Sequence, residues 1–267
     1  MKHSKIIKLL SGILIMSLVT ISCGDDPVST NEDPPELPEF QNVEADISYF
    51  QNNPPQNSNT NYSEAYGYGV SLGSLTFVTQ GYLGFFSQAN SDEVEFKNGQ
   101  WIWEYSYSFE GQSVSIKLIA EESGDFVDWQ MLWSFDDGQG NSYTDYRLVE
   151  GSIAKDGTSG SWTFNSLNPD SGEEEPVFVS TWSTSGDDNL EIQSEFYDGG
   201  SLISTFNYSK NDNEFMVSVS EVEAQNDIIV FWDDSAMTGY LQTESDSSTR
   251  KCWDSNYEDV TCSSVGY

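Results

Sequence analysis

Three sets of side chains have the types and spacings that could do chemistry. Glu191 and Glu195 stand four apart in EIQSE, so on a strand both carboxylates leave the same face, as a nucleophile and a proton donor must. The turns Asp136-Asp137-Gly138-Gln139-Gly140-Asn141 and Asp187-Asp188-Asn189 are rich in the oxygen ligands that calcium takes. Neither fits the twelve-residue loop that ends in a bidentate Glu, and a plain hairpin turn explains both. Cys252 and Cys262 are separated by nine residues. Two thiolates without further soft ligands make a poor metal site. In an oxidising compartment they would instead close a disulfide loop, contributing ~2–3 kcal/mol. There is no Gly-Lys phosphate loop.

The single histidine, His3, sits in an N-terminal leader. Lys2, Lys5 and Lys8 form its basic region, and Leu9 to Val19 its apolar region, too short to span a membrane comfortably. The run ends Val19-Thr20-Ile21-Ser22-Cys23. Ser22-Cys23 resembles the lipobox of bacterial lipoproteins, with Thr20 standing where leucine is preferred. The resemblance covers the N-terminal tenth of the chain. It implies cleavage before Cys23 and acylation of that cysteine, so that residues 1–22 are a signal peptide and the membrane is a partner through acyl chains. Cleavage would also take three of the ten basic residues and the only imidazole. A His-based triad or zinc site is then excluded, and nothing in the sequence calls for a cofactor.

Residues 23–41 read as a tether. Four prolines, Pro27, Pro34, Pro35 and Pro38, block regular structure, and 18 extended residues would reach about 55 Å at ~3.1 Å each. Asp25 and Asp26 resemble the acidic export signals of bacterial surface lipoproteins, which implies an outer-membrane anchor and display outside the cell; a periplasmic spacer is the alternative. The whole chain carries 10 Lys+Arg against 44 Asp+Glu, a formal charge of −34 in 267 residues. That balance excludes nucleic acid as a partner, because no basic patch exists to displace phosphate counterions. It also argues against docking through a polybasic face. The 14% aromatic content argues for a folded body.

Residues 42–267 read as one β-rich domain. A short helix is expected within 42–50. After Glu64 the chain is uncharged until Asp92, and its apolar residues fall on every side of a helical wheel. Asn61 with Glu64 matches a capping box. A helical segment over 61–90, buried all round in the concavity of a sheet, is therefore expected; two strands or a membrane span are the rival readings. From residue 93 onward the hydrophobic period is two, as in Trp101, Trp103, Tyr105, Tyr107 and Phe109, or Val127, Trp129, Met131, Trp133 and Phe135. Turn signals at hairpin spacing, such as Asn98-Gly99 and Asp156-Gly157, separate the runs. The fold class expected is mainly β: a large curved antiparallel meander of about twelve strands, open or half-closed.

The layout is similar to the curved sheet with a helix in lipoprotein carriers of the LolA/LolB type. No motif is shared, and the likeness implies only an apolar ligand. Trp101, Trp103, Tyr105, Trp129 and Trp133 are the candidate ligand-facing aromatics, for an apolar or a glycan ligand; core packing against the helix is the alternative for most of them. The Glu191/Glu195 strand resembles the E-x-D-x-E strand of certain retaining glycosidases, but Gln193 replaces the central Asp, and 44 acids supply such a pair by chance. The reading that results is a non-catalytic envelope lipoprotein that binds a ligand or partner. A structural envelope protein and a carboxylate-based glycosidase are the alternatives.

Overall fold

The computed structural model describes residues 33–37, 44–73, 86, 89, 94–109, 112–136, 140, 142–168, 171–186, 188–223, 226–244 and 246–267. The leader, Cys23, most of the tether and residues 74–85 lie outside them. The described body is one antiparallel sheet of fourteen strands in strict sequence order. The strands are β1 (Val94–Lys97), β2 (Gln100–Phe109), β3 (Gln112–Ser123), β4 (Phe126–Asp136), β5 (Ser142–Ala154), β6 (Ser159–Leu167), β7 (Glu174–Thr184), β8 (Asn189–Asp198), β9 (Ser201–Asn211), β10 (Glu214–Glu221), β11 (Asn226–Asp233), β12 (Thr238–Gln242), β13 (Lys251–Trp253) and β14 (Asp259–Val260). This is the open form of the expected meander, with β1 and β14 as its two edges. Short turns connect the strands. Asn98 and Gly99 both have positive φ (57° and 86°), the backbone of a two-residue turn whose twist matches the flanking strands.

One face of the sheet carries the core. Its central row reads, strand by strand from β2 to β9, Trp101, Ala120, Trp129, Gly151, Trp162, Ser180, Ser194 and Phe206. Bulky and small residues alternate over the first five strands, so each indole spreads over a small neighbour. The Trp162 ring lies across Gly151, the Trp182 ring across Gly160, and Trp253 across Gly239; a Cβ at any of these glycines would collide with the ring. Trp103 and Trp129, on strands two apart, meet in a stack with centroids 6.0 Å apart. Phe86 sits between Trp129 and Trp162, at 5.8 and 5.5 Å.

Two helices cap the far end of this face: α1 (Ser48–Asn52) and α2 (Asn61–Gly73). α2 begins where the sequence predicts, but its capping pair lies one residue earlier. The Thr60 hydroxyl accepts from the Ser63 N–H and the Ser63 hydroxyl from the Thr60 N–H, both at 3.1 Å. Asn61 and Glu64 are turned outward to β13 and β14 instead. Burial of α2 also differs from the all-round burial expected. Tyr62, Ala65, Gly69 and Gly73 form a single buried stripe, while Glu64, Gly67 and Ser71 are exposed. The stripe is made of size rather than polarity: Phe50 nests against Gly69 and Ile47 against Gly73, with no room for a Cβ at either glycine.

The outer face is polar. Among the described residues, ion pairs hold Lys117 (to Glu104 and Asp145), Arg147 (to Glu150 and Glu174), Lys155 (to Glu122) and Lys251 (to Glu64), all partly exposed. Four paired cations cannot offset 44 acids, and exposed pairs contribute only ~0–1 kcal/mol each.

Two outcomes follow from this packing. Gly151→Ala forces a methyl into the Trp162 ring and should destabilise by about 1–3 kcal/mol in urea unfolding, whereas Ser152→Ala on the outer face should stay within about 0.5 kcal/mol. Raising NaCl from about 0.05 to 1 M should raise Tm, because screening shortens the Debye length from roughly 14 to 3 Å and relieves more repulsion than it weakens pairing.

Candidate functional site

The sheet register separates the sequence-predicted groups. Trp101, Trp103 and Trp129 are 3%, 2% and 1% exposed. They are core, walled in by their neighbours, and offer no surface to an incoming ligand. Tyr105 and Trp133 flank Ile116 in register and are half-buried; burial holds the Tyr105 phenol above its ordinary pKa. Glu191 and Glu195 project from the outer face of β8, opposite to the aromatic rows, since Ile192 and Ser194 between them are buried. Glu195 accepts from the Tyr197 hydroxyl at 2.6 Å. The acids and the aromatics therefore do not share a groove. Cys252 and Cys262 form the expected disulfide, Cα–Cα 5.1 Å. No three Asp, Glu, His or Cys side chains converge on a metal position among the described residues. Cys23 lies outside them.

What the sequence reading missed is a cleft at one end of the strands. It has a volume of 390 Å³ and is lined by four separate stretches of chain. The β5–β6 turn contributes Asp156, Gly157 and Thr158. The end of β7 and the β7–β8 turn contribute Thr184, Gly186, Asp188, Asn189 and Leu190. The segment leading into α1 contributes Glu44 and Asp46. Tyr208 and Lys210 of β9 complete the lining.

Local hydrogen bonds fix each wall. Thr158 donates to Asp156 Oδ1 through its N–H (3.0 Å) and its hydroxyl (2.7 Å), and these bonds hold the Asp156 carboxyl below its ordinary pKa. The Thr184 N–H donates to the Thr158 carbonyl at 2.7 Å, tying the two turns together. Asn189 donates its amide to the Ser185 carbonyl at 2.9 Å, and its own amide oxygen is buried with no hydrogen bond. The Asp46 N–H donates to Tyr208 Oη at 3.1 Å, while Asp46 Oδ1 accepts from the Ser48 N–H at 3.0 Å and so starts α1. Burial raises the pKa of Tyr208 and of Glu44. Lys210 holds its ammonium 5.8 Å above the Phe215 ring and joins no ion pair among the described residues.

Four carboxylates and one ammonium thus line a small polar concavity, with Asp46, Asp156 and Asp188 exposed and Glu44 half-buried. Such a lining favours a positively charged ligand that can also take hydrogen bonds from hydroxyl and amide groups. Asp156-Gly157 and Asp188-Asn189 are visible in the sequence as turn signals, but nothing there brings Glu44 beside them. No family model, curated protein or solved structure matches the chain.

Tyr208→Phe removes the acceptor of the Asp46 N–H and leaves the ring. It should cost about 1 kcal/mol of stability and speed exchange of the Asp46 amide, read by urea unfolding and hydrogen exchange.

Proposed function

We propose that the chain is a non-catalytic binding protein of the bacterial envelope. It is anchored in the outer membrane by acyl chains on Cys23 and holds its β-domain away from the lipid on the acidic, proline-rich tether. The ligand is a small cation, an organic amine, taken into the strand-end cleft. One observation carries the binding part of this reading: Glu44, Asp46, Asp156 and Asp188 meet in one cleft although the chain separates them by up to 144 positions. The lipobox-like Ser22-Cys23 supports the anchor. The aromatic face, closed among the described residues, supports placing the ligand at the strand ends rather than on the indoles.

The acid order within the cleft sets its pH response. Hydrogen bonds keep Asp156 ionised to below the usual aspartate range, while burial makes Glu44 take a proton above the usual glutamate range. Amine affinity should therefore be full near pH 7 and begin to fall as acidification protonates Glu44, while Asp156 keeps its charge to lower pH.

Titration of the protein with cadaverine at low and at physiological salt tests this reading. Asp156→Asn with Asp188→Asn should weaken binding about tenfold or more, while Glu191→Gln with Glu221→Gln, equal in charge change but outside the cleft, should alter it little. Equal losses from both pairs would mean that the overall charge, not the cleft, attracts the amine. For the anchor, Cys23→Ser should move the protein from the detergent to the aqueous phase on Triton X-114 partition.

A further inference from the structure

We propose that the Cys252–Cys262 disulfide is a redox-sensitive clasp that fixes one wall of the cleft through the two helices. β13 and β14 pair only at Cys252↔Val260 and Trp253↔Asp259, so the disulfide closes what is otherwise a two-rung hairpin. That hairpin holds the start of α2. Asp259 Oδ1 accepts from the Asn61 N–H at 2.7 Å, the Cys252 carbonyl accepts from the Asn61 side-chain amide at 2.9 Å, and Lys251 pairs with Glu64 at 2.7 Å. Tyr62 packs at a tilt against Tyr257, inside the disulfide loop, with centroids 4.3 Å apart. Trp253 Nε1 donates to Tyr49 Oη of α1 at 3.0 Å.

The same contacts reach the cleft without a break. Gly69 and Gly73 of α2 are the sockets of Phe50 and Ile47. Ile47 directly follows Asp46, whose N–H is bonded to Tyr208 and whose carboxylate lines the cleft. The Asp46 bond ties this wall to β9, and the residues that follow it, Tyr49 and Phe50 of α1, pack between Trp232 of β11 and Tyr62 of α2, so the wall continues into the seat of the helix pair. A chain of packed, interlocked groups with two arrangements is the physical requirement for such coupling.

The two sulfurs differ in access. Cys252 is fully buried, whereas Cys262 is half-buried among exposed neighbours at 261, 263 and 264. A dithiol reductant would therefore attack Cys262 Sγ and form a mixed disulfide there, with Cys252 leaving as the thiolate. The second thiol of the reductant then displaces Cys262, so two electrons pass to the protein, which gains two thiols, and the reductant becomes a cyclic disulfide. With the hairpin released, Asp259 and Tyr257 no longer hold Asn61 and Tyr62, and the helix pair and the lead-in segment loosen together.

The clasp itself stands on these contacts alone; only its consequence for amine binding rests on the cleft reading. Hydrogen exchange of the full chain, oxidised and after dithiothreitol, tests the clasp. Residues 44–53 and 58–66 should exchange about tenfold or more faster when reduced, while β3 to β8 keep their protection. Cys252→Ala with Cys262→Ala should reproduce the change without reductant, and Asp259→Ala should reproduce it at 58–66 with the disulfide intact. Unchanged protection at 44–66 on reduction, or an equal loss across the whole sheet, would overturn the proposal. Cadaverine titration of both redox states separates the two readings. Faster exchange with weaker cadaverine binding supports the coupling; faster exchange with no cadaverine binding in either state removes the cleft reading and leaves the clasp.

Discussion

An indole on a sheet covers more area than its own position provides, so it needs a small residue on the next strand. That requirement organises the inner face. The alternation Trp101, Ala120, Trp129, Gly151, Trp162 runs across five strands at one level. Gly239 serves the same end between Trp232 and Trp253. Glycine normally weakens a strand by roughly 0.5–1 kcal/mol. Here each one admits a ring that buries ~150 Å² or more, about 4 kcal/mol at 25 cal/mol per Å², so the exchange is favourable. Register follows from it: a slip of one residue would set Trp129 opposite Glu150 or Ser152 instead of Gly151 and turn one strand's buried residues to solvent. The indole N–H groups of Trp101, Trp103 and Trp232 are buried without an acceptor. That costs ~1–3 kcal/mol for each group, less than the ring area contributes, so shape outranks polar satisfaction on this face.

The helix pair obeys the same rule. α2 lacks the apolar stripe of an ordinary packed helix; its buried positions are Tyr62, Ala65, Gly69 and Gly73. Three of those four contribute a hollow rather than a knob, and the knobs come from Ile47 and Phe50. Tyr66, Tyr68, Val70 and Leu72 add partly buried contacts with the core, while the glycines lower the helix's intrinsic propensity. Its place is set from outside by polar contacts at one end. This is why Asn61, Glu64 and Tyr62 bond and pack outward to the C-terminal hairpin, and why the hairpin carries the chain's covalent cross-link.

Period-two alternation and hairpin turns were sufficient to read the antiparallel meander, because each strand pairs with its sequence neighbour and short turns leave no other order. The two strands beyond the expected twelve include β14, a two-residue rung too short to show any period. Cysteine parity identified the disulfide for a similar reason: one partner remained once Cys23 was set aside. The helix was harder. Its apolar count suggested burial on all sides, but only the sockets for Phe50 and Ile47 reveal which side is buried, and sockets leave no hydrophobic signal. Its cap shifted by one residue because Thr60 and Ser63 form a reciprocal pair as well as Asn61 and Glu64 would, and tertiary contacts claimed the latter two. The cleft was out of reach. Its residues come from two turns, the end of β9 and the lead-in to α1, and their proximity depends on where that lead-in crosses the strand ends, which no local pattern encodes.

A uniformly acidic coat does not by itself make a site. At ~0.15 M salt the Debye length is about 8 Å, so a cation on the surface responds to the carboxylates around it and hardly to those on distant strands. Over the open outer face each carboxylate stands in water and attracts weakly. The cleft differs in one way that matters at that range. Four acids line one small volume, with Asp46, Asp156 and Asp188 exposed and Glu44 half-buried. Their convergence strengthens attraction for a cation that sits among them. Lys210, drawn aside over Phe215, leaves that negative potential only partly cancelled. The difference between coat and cleft is therefore one of geometry, and geometry is what the helix pair and its clasp maintain.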